Sequence, residues 1–117
     1  MNARRLVEVR SYQLKPGGGE LFHDLVSKQS IPLLHAVRMD VVAFGPSLHA
    51  PDTYFLIRSY ESPEALTAEQ EAFYGSAAWR QGPREAIIAL IDSDATVAFW
   101  TSEEAVDAMR RFGHAPR

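Results

Sequence analysis

Cysteine is absent from the 117 residues. No disulfide, thiolate zinc centre, iron–sulfur cluster or cysteine nucleophile can be built from this chain. Long apolar runs are missing as well. The longest, residues 86–91, is six residues, against the roughly 20 that a membrane helix needs. Neither sign of charge dominates: 12 Lys and Arg against 15 Asp and Glu give a formal net charge of −3. A general affinity for nucleic acid or for an anionic membrane is therefore not expected. Arg4 and Arg5 imitate the start of a signal sequence, but Glu8 and Arg10 interrupt any apolar region behind them. Asn2 stands where myristoylation needs a glycine. A cytoplasmic protein is expected.

What is present suits a single soluble domain with a real core: 46% hydrophobic and 23% charged residues in a length that folds without staples. Val7 and Val9 alternate with Glu8, Arg10 and Tyr12, which predicts a strand over 5–14. Gly17, Gly18 and Gly19 form a turn. Residues 20–38 carry Leu21, Phe22, Leu25, Val26, Leu33, Leu34 and Val37 at helical spacing, and Pro32 should kink or split that helix near Ser30. Strands are expected over 39–48 and 53–60, joined as a hairpin. Ser62 caps and Pro63 opens a helix to about Tyr74. A short turn follows around 77–81, then a helical piece over 84–91 opened by Pro83, then a fourth strand over 92–100. A last amphipathic helix, 102–112, carries Ala105, Val106, Met109 and Phe112 on one stripe, and His114 lies in the tail beyond it. The order β-α-β-β-α-β plus a C-terminal helix is that of an α+β, ferredoxin-like unit.

Two strand faces follow from the alternation. Glu8, Arg10 and Tyr12 share one with Tyr54, Leu56, Arg58 and Tyr60. Val7 and Val9 share the other with Phe55 and Ile57. The apolar set suits the helix-covered side, so the Tyr/Arg-rich set is expected to point away from the helices. Tyrosine and arginine are enriched at interfaces. Two such faces could pair into a homodimer, with Glu8 neutralising Arg10, Arg58 or both.

The opening strand, Val7-Glu8-Val9-Arg10-Ser11-Tyr12-Gln13-Leu14-Lys15-Pro16-Gly17, resembles that of NIPSNAP-family domains, as does Arg58-Ser59-Tyr60-Glu61-Ser62-Pro63-Glu64 with its helix entry. Trp79 stands where that family often carries a tryptophan after its second helix. The resemblance covers residues 5 to 101, within one domain spanning 1–117 whose last residues, 102–117, form the extra helix and tail. It implies a dimeric α+β barrel of unassigned biochemistry that binds a small molecule. The wider fold includes cofactor-independent monooxygenases and isomerases acting on aromatic or polyketide-like substrates, which is the alternative reading. Fold alone names no reaction. Glycine is richer at 17–19 than the family pattern leads one to expect.

The candidate chemistry is sparse. The glycine run lacks the Gly-Lys-Ser/Thr of a phosphate loop. His23, His35, His49 and His114 have no metal-ligand spacing, so no metal is expected, nor any cofactor. His35 sits among Leu33, Leu34 and Val37 and is the histidine to consider as a general base, with Tyr12 as the second catalytic candidate. Glu8, Arg10, Tyr12, Tyr54, Arg58, Tyr60, Trp79 and Trp100 are the expected lining of a ligand pocket or barrel interior. Such a pocket suits a small apolar or aromatic ligand.

Overall fold

The computed structural model describes residues 3–112. Strand β1 (Arg4–Leu14) is followed by helices α1 (Gly19–Leu25) and α2 (Ile31–Ala36), with a π-helical turn, Val26–Ser30, between them. Strands β2 (Asp40–Pro46) and β3 (Thr53–Tyr60) follow, then helices α3 (Pro63–Tyr74), α4 (Ala77–Arg80) and α5 (Arg84–Ile88). Strand β4 (Ile91–Ser102) and helix α6 (Glu103–Phe112) complete it. The four strands form one antiparallel sheet in the order β2-β3-β1-β4.

Local chemistry explains the boundaries. Pro32 cannot donate to a carbonyl one turn back, and its ring crowds that carbonyl; the wider π turn just before it relieves both. Ser62 accepts from the Ala65 amide and so caps α3, and Ser76 caps α4 in the same way through the Trp79 amide. The glycine turn is anchored from the β2–β3 loop: Asp52 accepts from the Gly17 and Gly19 amides at 2.9 and 3.2 Å. Gly17 has φ +82°, a conformation that costs other residues energy. An Asp carboxylate therefore occupies the donors that a phosphate loop would offer to a ligand.

The sheet faces divide as the alternation implies, with Glu8 opposite Arg58, Arg10 opposite Leu56 and Tyr12 opposite Tyr54. Their direction is the reverse of expectation. The Tyr/Arg-rich set lies beneath the helices, where Glu8, Tyr54, Leu56, Arg58 and Tyr60 are all buried against a core that includes Phe22, Val26, Leu34, Phe73, Trp79 and Ile87. The cause is complementarity: α3 presents Gln70 and Tyr74 as hydrogen-bond partners for the ionic pair. The apolar set lies on the far face. Only one end of that face is covered, by α6, whose Val106 packs with Val7 and Val42, and Met109 beside them. The stripe of α6 thus docks on its own chain; the Phe112 side chain and His114 lie outside the described residues.

An ionic latch holds α6 to the edge of the sheet. Arg110 donates to Asp40 at 2.6 Å, and Arg5 reaches the same carboxylate at 3.4 Å, with the Ser59 hydroxyl also donating to it. Burial by itself would raise the Asp40 pKa. The hydrogen bonds from Arg110 and Ser59 and the two nearby positive charges outweigh it and hold the carboxyl below its usual 3.8. A depressed carboxylate stabilises the fold above the unfolded value and loses that contribution as pH falls through the folded one. Asp40→Ala is expected to weaken the docking of α6 by at most ~1 kcal/mol, since the pair is partly exposed. Amide exchange in α6 should quicken relative to β1 at neutral pH, with the difference from wild type closing in acid below 3.8. Unaltered α6 exchange would show that the Asp40 ion pairs do not hold the helix to the sheet.

Candidate functional site

The polar centre of the helix side is Glu8. Its Oε1 accepts from Arg58 Nε at 2.9 Å and from the Tyr60 hydroxyl at 3.1 Å, and its Oε2 accepts from Gln70 Nε2 at 2.7 Å. Gln70 also donates to the Tyr60 oxygen, and Arg58 Nη1 donates to the Tyr74 hydroxyl at 2.9 Å. Gln70 and Tyr74 are four apart on α3, so both point at the sheet. Register supplies the rest, because Glu8 and Arg58 are directly opposed on adjacent antiparallel strands. The Arg58 side chain is 0% exposed and that of Glu8 3%. Glu8 therefore neutralises Arg58 and not Arg10.

Beside this network a cavity of about 500 Å³ opens between the sheet and α3–α5. Arg10 and Tyr12 rise into it from β1, Gln70 and Tyr74 from α3, Trp79 and Arg80 from α4, Arg84, Ile87 and Ile88 from α5, and Ile91 and Asp94 from β4. A smaller apolar recess of about 40 Å³ shares Tyr12, Tyr74, Trp79 and Ile87 with it and continues toward Phe22 and Leu34. Trp79 and Tyr74 meet edge to face, ring centroids 5.4 Å apart. Arg10 lies over the Tyr12 ring, its guanidinium carbon 5.7 Å from the centroid. Its Nε is buried without a protein hydrogen-bond partner, as is Arg58 Nη2. Burial pushes the Tyr12 phenol up to about 12, although the Arg10 charge pulls the other way. At neutral pH Tyr12 is therefore a hydrogen-bond donor and not a base.

The residues singled out from the sequence sort into several places. Arg10, Tyr12 and Trp79 line the cavity. Glu8, Arg58 and Tyr60 form the network behind it. Tyr54 sits deeper, its hydroxyl 2.6 Å from His23 Nδ1, and burial raises both the Tyr54 and Tyr60 phenols. Trp100 is away from the cavity, half-exposed under the Arg4 guanidinium at 4.1 Å. His35 is exposed in the last turn of α2 and touches neither the cavity nor its recess. Tyr74 was among the aromatics expected to line a ligand site; Gln70, Arg80 and Arg84 were missed as lining. One sequence signal pointed to Gln70: it stands four residues before Tyr74 on the same helix.

A group of three or more His, Asp or Glu side chains able to hold a metal ion does not occur among the described residues. No helix among them is long and apolar enough to cross a membrane.

Removing one partner of the buried pair strands a charge. Arg58→Met is expected to cost about 3–5 kcal/mol in urea unfolding, and the double substitution Glu8→Met with Arg58→Met to recover much of that loss. Additive losses in the double variant would show that the pair is not the unit that holds this face.

No family model matches the sequence, and no curated protein matches it. Solved structures do. A NIPSNAP family protein from Agrobacterium tumefaciens superposes with a TM-score of 0.79 at 14% identity, over 88% of this chain and 90% of that one. An uncharacterised NIPSNAP-like domain protein from Burkholderia xenovorans gives 0.74 at 19% identity, over 81% and 83%. A more distant Nitrosomonas europaea protein, named for antibiotic biosynthesis monooxygenases, gives 0.59 at 14% identity, over 85% and 91%. These likenesses establish the fold: an α+β, ferredoxin-like domain with NIPSNAP proteins among its structural neighbours.

Proposed function

We propose that this chain is a NIPSNAP-type small-molecule-binding protein that works as a homodimer. The observation that carries the binding reading is the cavity beside the Glu8–Arg58 network. Somewhat more of its surface is apolar than polar: Trp79, Tyr74 and three isoleucines wall it, and Arg10, Gln70, Arg80, Arg84 and Asp94 supply polar groups to orient a ligand. That is the usual form of a small-ligand site. Its floor is rigid, because β1 is hydrogen-bonded on both sides and α3 is tied to it through Gln70 and Tyr74.

A catalytic reading, as a cofactor-independent monooxygenase or isomerase, has less support. Such an enzyme needs a base near the substrate carbon. Tyr12 stays protonated, His35 lies elsewhere, and Asp94 is the one carboxylate among the described lining residues.

The dimer reading rests on the uncovered sheet. β4 is an edge strand of 12 residues in which residues 92–100 are all exposed. Val97 and Phe99 are 61% and 44% exposed and continue the apolar surface of Val9 and Ile57 beyond α6. Long exposed edges with apolar flanks are normally covered. A second copy, related by a twofold axis, offers a surface that matches itself. The interface is thus assigned to the face opposite the Tyr/Arg-rich one, since that set is occupied by helices.

One measurement tests both parts. Native mass spectrometry of freshly purified protein is expected to give a species at twice the 13.1 kDa chain mass, carrying added mass that denaturation removes. The double variant Val97→Lys with Phe99→Lys should sediment as a monomer with unchanged circular dichroism. A wild-type monomer, or a double variant that still dimerises, would overturn the assigned interface. A cavity-blocking Ile88→Trp variant that keeps all of the added mass would overturn the binding site.

A further inference from the structure

We infer that the cavity selects an anionic ligand, namely a carboxylate carried on an aromatic or otherwise apolar body. This rests on the binding reading above and adds the ligand's class to it. In a chain whose net charge is −3, the lining gathers Arg10, Arg80 and Arg84 against a single acid, Asp94. None of the three guanidiniums forms an ion pair with a carboxylate among the described residues, Asp94 included. Most other cationic side chains facing this sheet are spoken for: Arg58 by Glu8, and Arg5 and Arg110 by Asp40.

The three arginines do not contribute alike. Arg10 is on the sheet at the cavity floor, partly buried, with its Nε turned away from water and lacking a protein acceptor. A buried N–H left without an acceptor is costly, and a charged one more so. That Nε is closed to the cavity, so a carboxylate there meets the guanidinium at its two terminal nitrogens, in the bidentate pairing for which arginine is shaped. The Tyr12 ring beneath Arg10 and the neutral Tyr12 hydroxyl add a face and a donor. Arg80 and Arg84 are exposed at the rim. Charges so placed draw an anion in and raise its rate of arrival more than they hold it.

The other end of the cavity fixes the body of the ligand. Trp79, Ile87 and the recess behind them carry no charged side chain; the recess is lined mostly by apolar groups, with the hydroxyls of Tyr12, Ser30, Tyr54 and Tyr74 as its polar ones. A second charge there would be buried without a countercharge. One charge at the floor and an apolar wall opposite describe a monocarboxylate better than a phosphate dianion, which needs more donors than the single floor guanidinium and hydroxyl.

The test uses labelled full-length protein, with the indole N–H resonances of Trp79 and Trp100 told apart by a Trp100→Phe variant. Titration with 1-naphthoate is expected to shift Trp79 and not Trp100. The uncharged isostere 1-naphthamide should bind about tenfold or more weakly, as loss of a charge-assisted hydrogen bond implies. Arg10→Gln should remove most of the preference for naphthoate while leaving naphthamide affinity in place, which a merely unfolded variant could not do. Equal affinity for the two compounds would overturn the anion assignment and leave the binding site standing. Tighter binding of 1-naphthyl phosphate than of naphthoate would overturn the carboxylate class. No Trp79 shift with any of the three would overturn the proposal together with the cavity as a binding site.

Discussion

The pair between Glu8 and Arg58 is the constraint from which the rest of this molecule can be read. Two opposite charges taken almost wholly out of water must be satisfied atom by atom, because Coulomb attraction alone does not offset their desolvation. Glu8 spends its lone pairs on Arg58, Tyr60 and Gln70. Arg58 in turn reaches Tyr74. Gln70 and Tyr74 belong to α3, so the pair fixes the rotation and height of that helix over the sheet. The same two side chains then form one wall of the cavity. A further consequence falls on Arg10. The nearest carboxylate on its own strand is fully engaged, so the second arginine of the motif keeps its charge for something else.

The two sheet faces follow opposite rules. The helix side holds the charged and phenolic residues, yet nearly every polar atom on it is paired. The far side holds valine, isoleucine and phenylalanine, yet much of it is open. Hydrophobicity alone would assign the sides the other way, because apolar surface removed from water stabilises by about 25 cal/mol per Å². Helix α6 covers Val7 and Val42 on that face. Beyond α6 the surface of Val97 and Phe99 stays exposed. Under the proposed pairing a second copy would restore the ordinary rule, with the apolar face buried between two sheets.

Much of this was legible in the residues. Period-two alternation located the strands, Pro32 located the break in the first helix, and Ser62 with Pro63 located the start of α3. The shared face put Glu8 with Arg10 and Arg58, and the strand register then chose Arg58. What alternation cannot say is which face meets the helices, since a period of two is the same seen from either side. That choice is made by tertiary partners far away in sequence, Gln70 and Tyr74 among them, and nothing within β1 reveals them. His35 shows the same limit. Its apolar neighbours Leu33 and Leu34 suggested an inward position, but the helix is interrupted by the π turn, and the last turn of α2 leaves the imidazole exposed. Trp79 was legible through the family resemblance, and the structure buries it in the wall of the cavity.

Two places in the chain gather donors that suit an anion, and the fold treats them differently. At the glycine turn the amides of Gly17 and Gly19 converge, and the chain supplies its own carboxylate, Asp52, from a residue held at φ +61° in the neighbouring loop. That backbone conformation is unfavourable for a side-chain-bearing residue, though aspartate tolerates it better than most. The anion there is part of the architecture: it joins the end of β1 to the hairpin, where the Leu14 amide also donates to the Asp52 carbonyl. At the cavity floor Arg10 presents a stronger donor, and no carboxylate among the described residues pairs with it. Asp94 lines the same cavity from the adjacent strand, where it stands opposite Tyr12. One anion site is closed by the chain's own carboxylate and the more strongly charged one stands open beside an apolar wall, and that contrast is what supports the proposed ligand there.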